Sequence, residues 1–238
     1  KALNFSTQKT MRLAQQLYEG VEVKGHGTIG LITYLRTDST RIADEADAAA
    51  RAYVEHTFGT DYVLKQEQAK HSAGKIQDAH EAIRPTDITL TPTMVKDSLQ
   101  RDQFRLYQLI WKRFTASRMQ PAVYMTTSVK VAAGNYLFTL AASKLSFDGF
   151  MSVYVQEDDK EAGNALLGKL ETGDVLPLSE LKQSQHFTQP PAHYTEASLV
   201  KAMEEQGIGR PSTYAPTITT ILARRYVTKE NKNLYMTE

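Results

Sequence analysis

The sequence predicts an α+β chain built from more than one domain. Three observations predict it. Apolar residues recur with the helical period as far as about residue 119. Near Pro121 the pattern switches to alternation, which suits a strand with two unlike faces. The Gln189-Pro190-Pro191 break then restores a helical pattern to the end. The expected organisation is a helical domain over 1–119, a β-rich segment over 120–189 and a helical, winged-helix-like segment over 190–238.

In the first domain Ser6 can cap a helix whose residues Met11, Ala14, Leu17 and Tyr18 share a face. A glycine-containing link over 20–30 leads into a short apolar strand carrying Tyr34. A second helix is expected over 44–58, stopped by Gly59. Residues 60–79 are polar and expected as loop. A third helical region over 93–119 carries Phe104, Tyr107, Ile110, Trp111 and Phe114 as core anchors.

The β-rich segment opens with alternation from Val123 to Val131, turns at Gly134-Asn135 and returns over 136–142. Further strands are expected over 150–155 and 175–178, with a polar excursion over 158–168. In the last segment Thr195 opens a helix that ends at Gly207. Arg210-Pro211-Ser212 starts another, with proline at a tolerated early position and serine as cap. Residues 226–228 and 234–236 can pair across Asn231-Lys232-Asn233 as a hairpin. Helix, glycine turn, helix and hairpin together suggest a winged helix-turn-helix.

Several classes are excluded or disfavoured. No apolar run approaches the roughly 20 residues that span a bilayer, and no signal peptide is visible. There is no cysteine, so disulfides and thiolate metal sites are absent and a reducing compartment fits. The chain starts at Lys1 rather than Met, which suggests a segment of something longer. Net charge is +1, yet residues 1–118 carry +3, 119–189 carry −3 and 190–238 carry +1. The flanks are thus the parts suited to a polyanion.

Three runs carry chemistry. In Leu31-Ile32-Thr33-Tyr34-Leu35-Arg36-Thr37-Asp38-Ser39 an expected strand aims Tyr34 and Arg36 at one side. A phenol ionises only near pH about 10, and a fixed guanidinium favours the phenolate and can hold a phosphate that it attacks. By itself this pair also fits an ordinary strand edge. The run Asp78-Ala79-His80-Glu81-Ala82-Ile83-Arg84-Pro85 gathers an imidazole, two carboxylates and a guanidinium. His80 could donate to a phosphate or shuttle a proton, or simply be a hydrogen-bonded loop histidine. It lacks the paired histidines of a zincin helix, and no metal ligand is assigned. In Gly207-Ile208-Gly209-Arg210-Pro211-Ser212-Thr213-Tyr214 glycines beside a helix start could admit a phosphate, with Arg210 as a cation. Thr195 offers a hydroxyl at another helix start. Capped turns explain these last two equally well.

Together the three runs, in this order, resemble the signatures of the type IA DNA topoisomerases. Leu35 stands where the bacterial relaxing enzymes usually carry methionine, a volume-conserving exchange, whereas the decatenating relatives tend to have proline there. The resemblance implies that Tyr34 is the nucleophile forming a 5′-phosphotyrosine, that Arg36 stabilises the scissile phosphate, and that His80 positions it. Asp38, Glu81, Arg84, Thr195, Arg210 and Ser212 would support or hold the DNA strand. Residues 120–189 would be part of a β-rich arch that opens as a gate. The implied cofactor is Mg²⁺, held by an acidic Toprim cluster that does not occur in this chain, so this chain alone would not cleave. The implied partner is single-stranded DNA within negatively supercoiled DNA, met by a monomer in the bacterial cytoplasm with no membrane involved. The competing expectation is a non-catalytic helix-turn-helix module that prefers duplex DNA.

Overall fold

Ser6 starts the first helix. Its backbone is extended and its Oγ accepts the Lys9 amide at 3.2 Å, satisfying a donor that a helix start leaves free. Helix α1 (Thr7–Glu19) buries Leu13, Ala14 and Leu17. A small hairpin follows, β1 (Val21–Val23) with β2 (Gly27–Ile29). The sequence reading leaves this stretch as a link, because three-residue strands hold too little alternation to recognise. The computed structural model describes residues 2–65, 80–155 and 170–237. Of the loop expected over 60–79, the described part holds a 3-10 turn, Thr60–Tyr62, and a bridge from Val63 to Met119; residues 66–79, with Asp78 and Ala79 of the histidine run, and the excursion over 158–168 lie outside the described residues.

The strand expected around Tyr34 is not formed. Ile32 makes one antiparallel bridge with Pro85, and the chain bends at Thr33, Leu35 and Arg36. The bridge is reinforced on both sides. The Thr33 amide donates to the Arg84 carbonyl at 2.9 Å and the Thr86 amide to the Leu31 carbonyl at 3.1 Å. Thr33 Oγ1 then takes over the pairing, donating to the Ala82 carbonyl at 2.8 Å and accepting the Arg84 amide at 2.9 Å. Beyond the bridge a side chain thus does what a strand backbone would have done.

Helix α2 spans Asp44–Phe58 and ends at Gly59. No side chain caps its start, but Asp44, Glu45 and Asp47 occupy the first turn, where the helix dipole favours negative charge. The expected third helix is two helices: α3 (Pro92–Val95), a 3-10 turn over Lys96–Ser98, and α4 (Arg101–Ala116). Tyr107, Trp111 and Phe114 are buried as expected, while Phe104 and Ile110 are half-buried. Two anchors also hold the preceding loop. The Tyr107 hydroxyl donates to the Leu90 carbonyl at 2.6 Å, and the Trp111 indole to the Ile88 carbonyl at 2.9 Å.

Near the C-terminus come α5 (Glu196–Glu205), α6 (Tyr214–Ala223), β5 (Val227–Glu230) and β6 (Asn233–Met236). Helix α6 starts later than expected. Residues 210–213 form a turn closed by the Thr213 amide on the Arg210 carbonyl at 2.8 Å, so Ser212 is not its cap. The hairpin register pairs Glu230 with Asn233, and Asn231 turns with a φ of 56°. The order is helix, turn, helix, hairpin. Lys1–Met119 and Ala192–Glu238 pack as one unit, with α1 against both α4 and α6.

Gln120–Pro191 is a second unit. Its strands β3 (Val123–Ala133) and β4 (Tyr136–Phe147) pair as one antiparallel ribbon around Gly134-Asn135. The strand expected over 150–155 is instead a 3-10 turn, Gly149–Ser152. Gly149 has a φ of 48°, and a Cβ there would lie 2.4 Å from the Gln120 carbonyl oxygen, so the chain crosses itself at a point that only glycine fits. Residues 175–178 find no ladder partner among the described residues and form no strand.

Candidate active site

Leu35 organises the segment that matters most. It is only 4% exposed, while Tyr34 and Arg36 on either side of it are exposed. Both side chains are therefore open to solvent, and what separates them is a buried anchor at a bend rather than the expected strand.

The Tyr34 ring, 42% exposed, lies between two other rings. The Tyr18 ring meets it edge-on with centroids 5.5 Å apart and planes at 69°. The His80 ring lies 6.1 Å away at 34°. The bridge between Ile32 and Pro85 and the Thr33 hydrogen bonds bring the histidine run alongside the tyrosine run. Gly30 allows the approach of Tyr18: the Leu31 amide donates to the Leu17 carbonyl at 2.7 Å, and a Cβ on Gly30 would lie 2.6 Å from the Tyr18 carbonyl oxygen.

Arg36 lines a cleft of about 420 Å³. Its wall also includes Gln8 and Met11 of α1, Ser212, and Pro216 and Thr219 of α6. A phenol, an imidazole and an open cleft bearing a guanidinium thus belong to one unit. That set offers a nucleophile, a proton donor and a cation able to hold an anion.

A family model described as DNA topoisomerase matches residues 1–238. The chain belongs to the bacterial type IA DNA topoisomerases. It is also similar to the solved full-length topoisomerase I from Thermotoga maritima, at 42% identity over 99% of this chain and a TM-score of 0.78. It spans 37% of that chain's length.

Other residues expected at the site have different surroundings in this topoisomerase chain. The Arg84 guanidinium is turned onto Glu81, with Nε–Oε2 at 2.9 Å and a second contact at 2.8 Å, and also onto the Pro85 carbonyl at 3.0 Å. Thr195 caps α5 and exchanges hydrogen bonds with Ser198. Arg210 is exposed and donates to the Gly209 carbonyl at 2.7 Å. Asp38 is exposed on the chain beyond Arg36. Ser212 shares the cleft with Arg36. Tyr18 is the neighbour the sequence reading missed. Its helical spacing placed it on the core face, and nothing in the pattern marks the close approach at Gly30.

Among the described residues no three His, Asp or Glu side chains converge to hold a cation. Nor is any described helix long and apolar enough to cross a membrane.

Proposed function

We propose that this chain supplies the strand-cleaving tyrosine and part of the strand seat of an enzyme that relaxes negatively supercoiled DNA. The observation that carries this reading is the Tyr34 phenol, open to solvent between Tyr18 and His80 and two residues from Arg36 at the cleft. Tyr34 gives up its proton and its oxygen attacks a backbone phosphorus. A P–O(Tyr34) bond forms, the P–O3′ bond breaks, and the 3′ oxygen takes up a proton and leaves as a hydroxyl. One phosphodiester replaces another, so the broken strand is stored without ATP. Religation is the reverse, with the 3′-hydroxyl attacking and Tyr34 leaving. Arg36 offsets charge on the phosphate, and His80 donates to a phosphate oxygen. Mg²⁺ would be held by residues outside this chain. Accordingly, the isolated chain should not cleave DNA.

The test uses a full-length topoisomerase carrying this chain and a single-stranded oligonucleotide. Tyr34→Phe should abolish the 5′-linked covalent adduct while leaving oligonucleotide affinity within about twofold, since a hydroxyl outside the strand seat contributes little to binding. An adduct from Tyr34→Phe would sink the assignment. Preference for duplex over single-stranded competitor would instead favour a helix-turn-helix module acting without cleavage.

A further inference from the structure

Strand cleavage as described gives Tyr18 no role, yet its placement is specific. Tyr18 lies in the last turn of α1, a helix fixed in the core by Leu13 and Leu17. Its own ring stays 39% exposed and meets the Tyr34 ring edge-on at 5.5 Å, within the range in which aromatic pairs attract. The hydrogen bond from Leu31 to Leu17 and the Gly30 contact fix that last turn directly onto the tyrosine segment.

Tyr34, by contrast, stands where the chain bends, with no ladder partner of its own among the described residues. Its backbone alone does not dictate where a half-exposed ring points, because a surface tyrosine has more than one open rotamer. The neighbouring rings must choose for it. Tyr18 does so from a helix that is itself anchored. Among the described residues the interaction found for the Tyr18 side chain is this ring contact with Tyr34.

We propose that Tyr18 is a positioning residue, whose ring holds the Tyr34 ring in the rotamer from which its oxygen reaches the scissile phosphate. The proposal rests on the reading of Tyr34 as the nucleophile. It predicts a defect in the chemical step and not in binding, because misplacing a reacting atom lowers the rate at saturation.

The experiment again uses a full-length topoisomerase carrying this chain. Adduct formation is followed in a single turnover at saturating oligonucleotide, with affinity and melting temperature measured alongside. Tyr18→Leu should slow adduct formation roughly three- to tenfold, the range that corresponds to losing one edge-on aromatic contact, with affinity and melting temperature unchanged. Tyr18→Phe, which keeps the ring, should restore the parental rate. Tyr18→His, with a smaller aromatic ring, should fall between them and gives a second readout should leucine disturb folding. A parental rate in Tyr18→Leu overturns the proposal. So does a Tyr18→Phe as slow as Tyr18→Leu, a Tyr18→His no faster than Tyr18→Leu, or a loss confined to affinity. Tyr34→Phe is run in parallel. If it still forms adduct, the nucleophile reading itself fails, an outcome distinct from a failure of Tyr18 alone.

Discussion

The Arg84 guanidinium turns inward and Arg36 turns outward, and this separates two arginines that the sequence reading assigned alike to DNA. Arg84 holds Glu81 through two nitrogens, with its side chain only 12% exposed, and it also donates to the Pro85 carbonyl. This planar fork suits a carboxylate in a way a lysine ammonium does not. Arg84→Lys should therefore cost about 1–3 kcal/mol of stability by leaving Glu81 and the Pro85 carbonyl poorly paired, read as a lower denaturant midpoint. Oligonucleotide affinity of the folded protein should change little. Arg36→Ala should do the reverse, weakening strand binding while the midpoint stays within about 0.5 kcal/mol, the usual range for an exposed side chain. If Arg84→Lys weakened binding without shifting the midpoint, the inward pairing would not be its main role.

At the level of elements, the approach of α1 to the tyrosine segment depends on Gly30. A methyl group there would lie 2.6 Å from the Tyr18 carbonyl oxygen, and the atom in the way is backbone. Gly30→Ala must push helix and segment apart, which should cost about 1–3 kcal/mol as other overpacking does. A midpoint equal to the parent's would show that the contact yields easily. Such approaches explain what the sequence left hidden. Helix α2, the β3–β4 ribbon and the C-terminal hairpin were legible because each is written in its own periodicity and closed by glycine or asparagine. The break at Lys96–Ser98 was not, because Met94, Val95 and Leu99 continue an apolar spacing straight through a 3-10 turn. The strand expected at Tyr34 failed because the Thr33 hydroxyl substitutes for ladder bonds, a long-range choice that local pattern cannot show. At the site, Tyr34, Arg36 and His80 stood out by residue type within their runs. The meeting of Tyr34 with His80 and Tyr18 arises only when three stretches distant in sequence pack together.

At the largest scale, the unit formed by both ends of the chain has a polar joint at Glu196. This carboxylate is only 9% exposed, at the start of α5. It accepts the Thr7 amide at 2.7 Å and the Thr7 hydroxyl at 2.8 Å, and the Lys229 ammonium at 2.6 Å. Three elements therefore meet at one side chain: the first turn of α1, the start of α5, and β5. Burial opposes its ionisation, but the hydrogen bonds from Lys229 and Thr7 outweigh that and hold its pKa below the ordinary glutamate value of 4.5. A carboxylate lowered in the folded state contributes stability that is fully present above the ordinary value and is lost as pH falls through the lower, folded one. The joint should thus be intact at neutral pH and weaken in acid below 4.5. Glu196→Gln keeps the shape but leaves Lys229 without a counter-charge, and should cost about 1–3 kcal/mol at pH 7. Because the parent loses this contribution in acid and the amide has no proton to gain, the gap between them should narrow as pH falls below 4.5. Denaturant unfolding of both proteins across that range checks it. A gap that stays constant with pH would mean that Glu196 acts through shape alone, and a gap that widens in acid would mean that its pKa is raised rather than lowered.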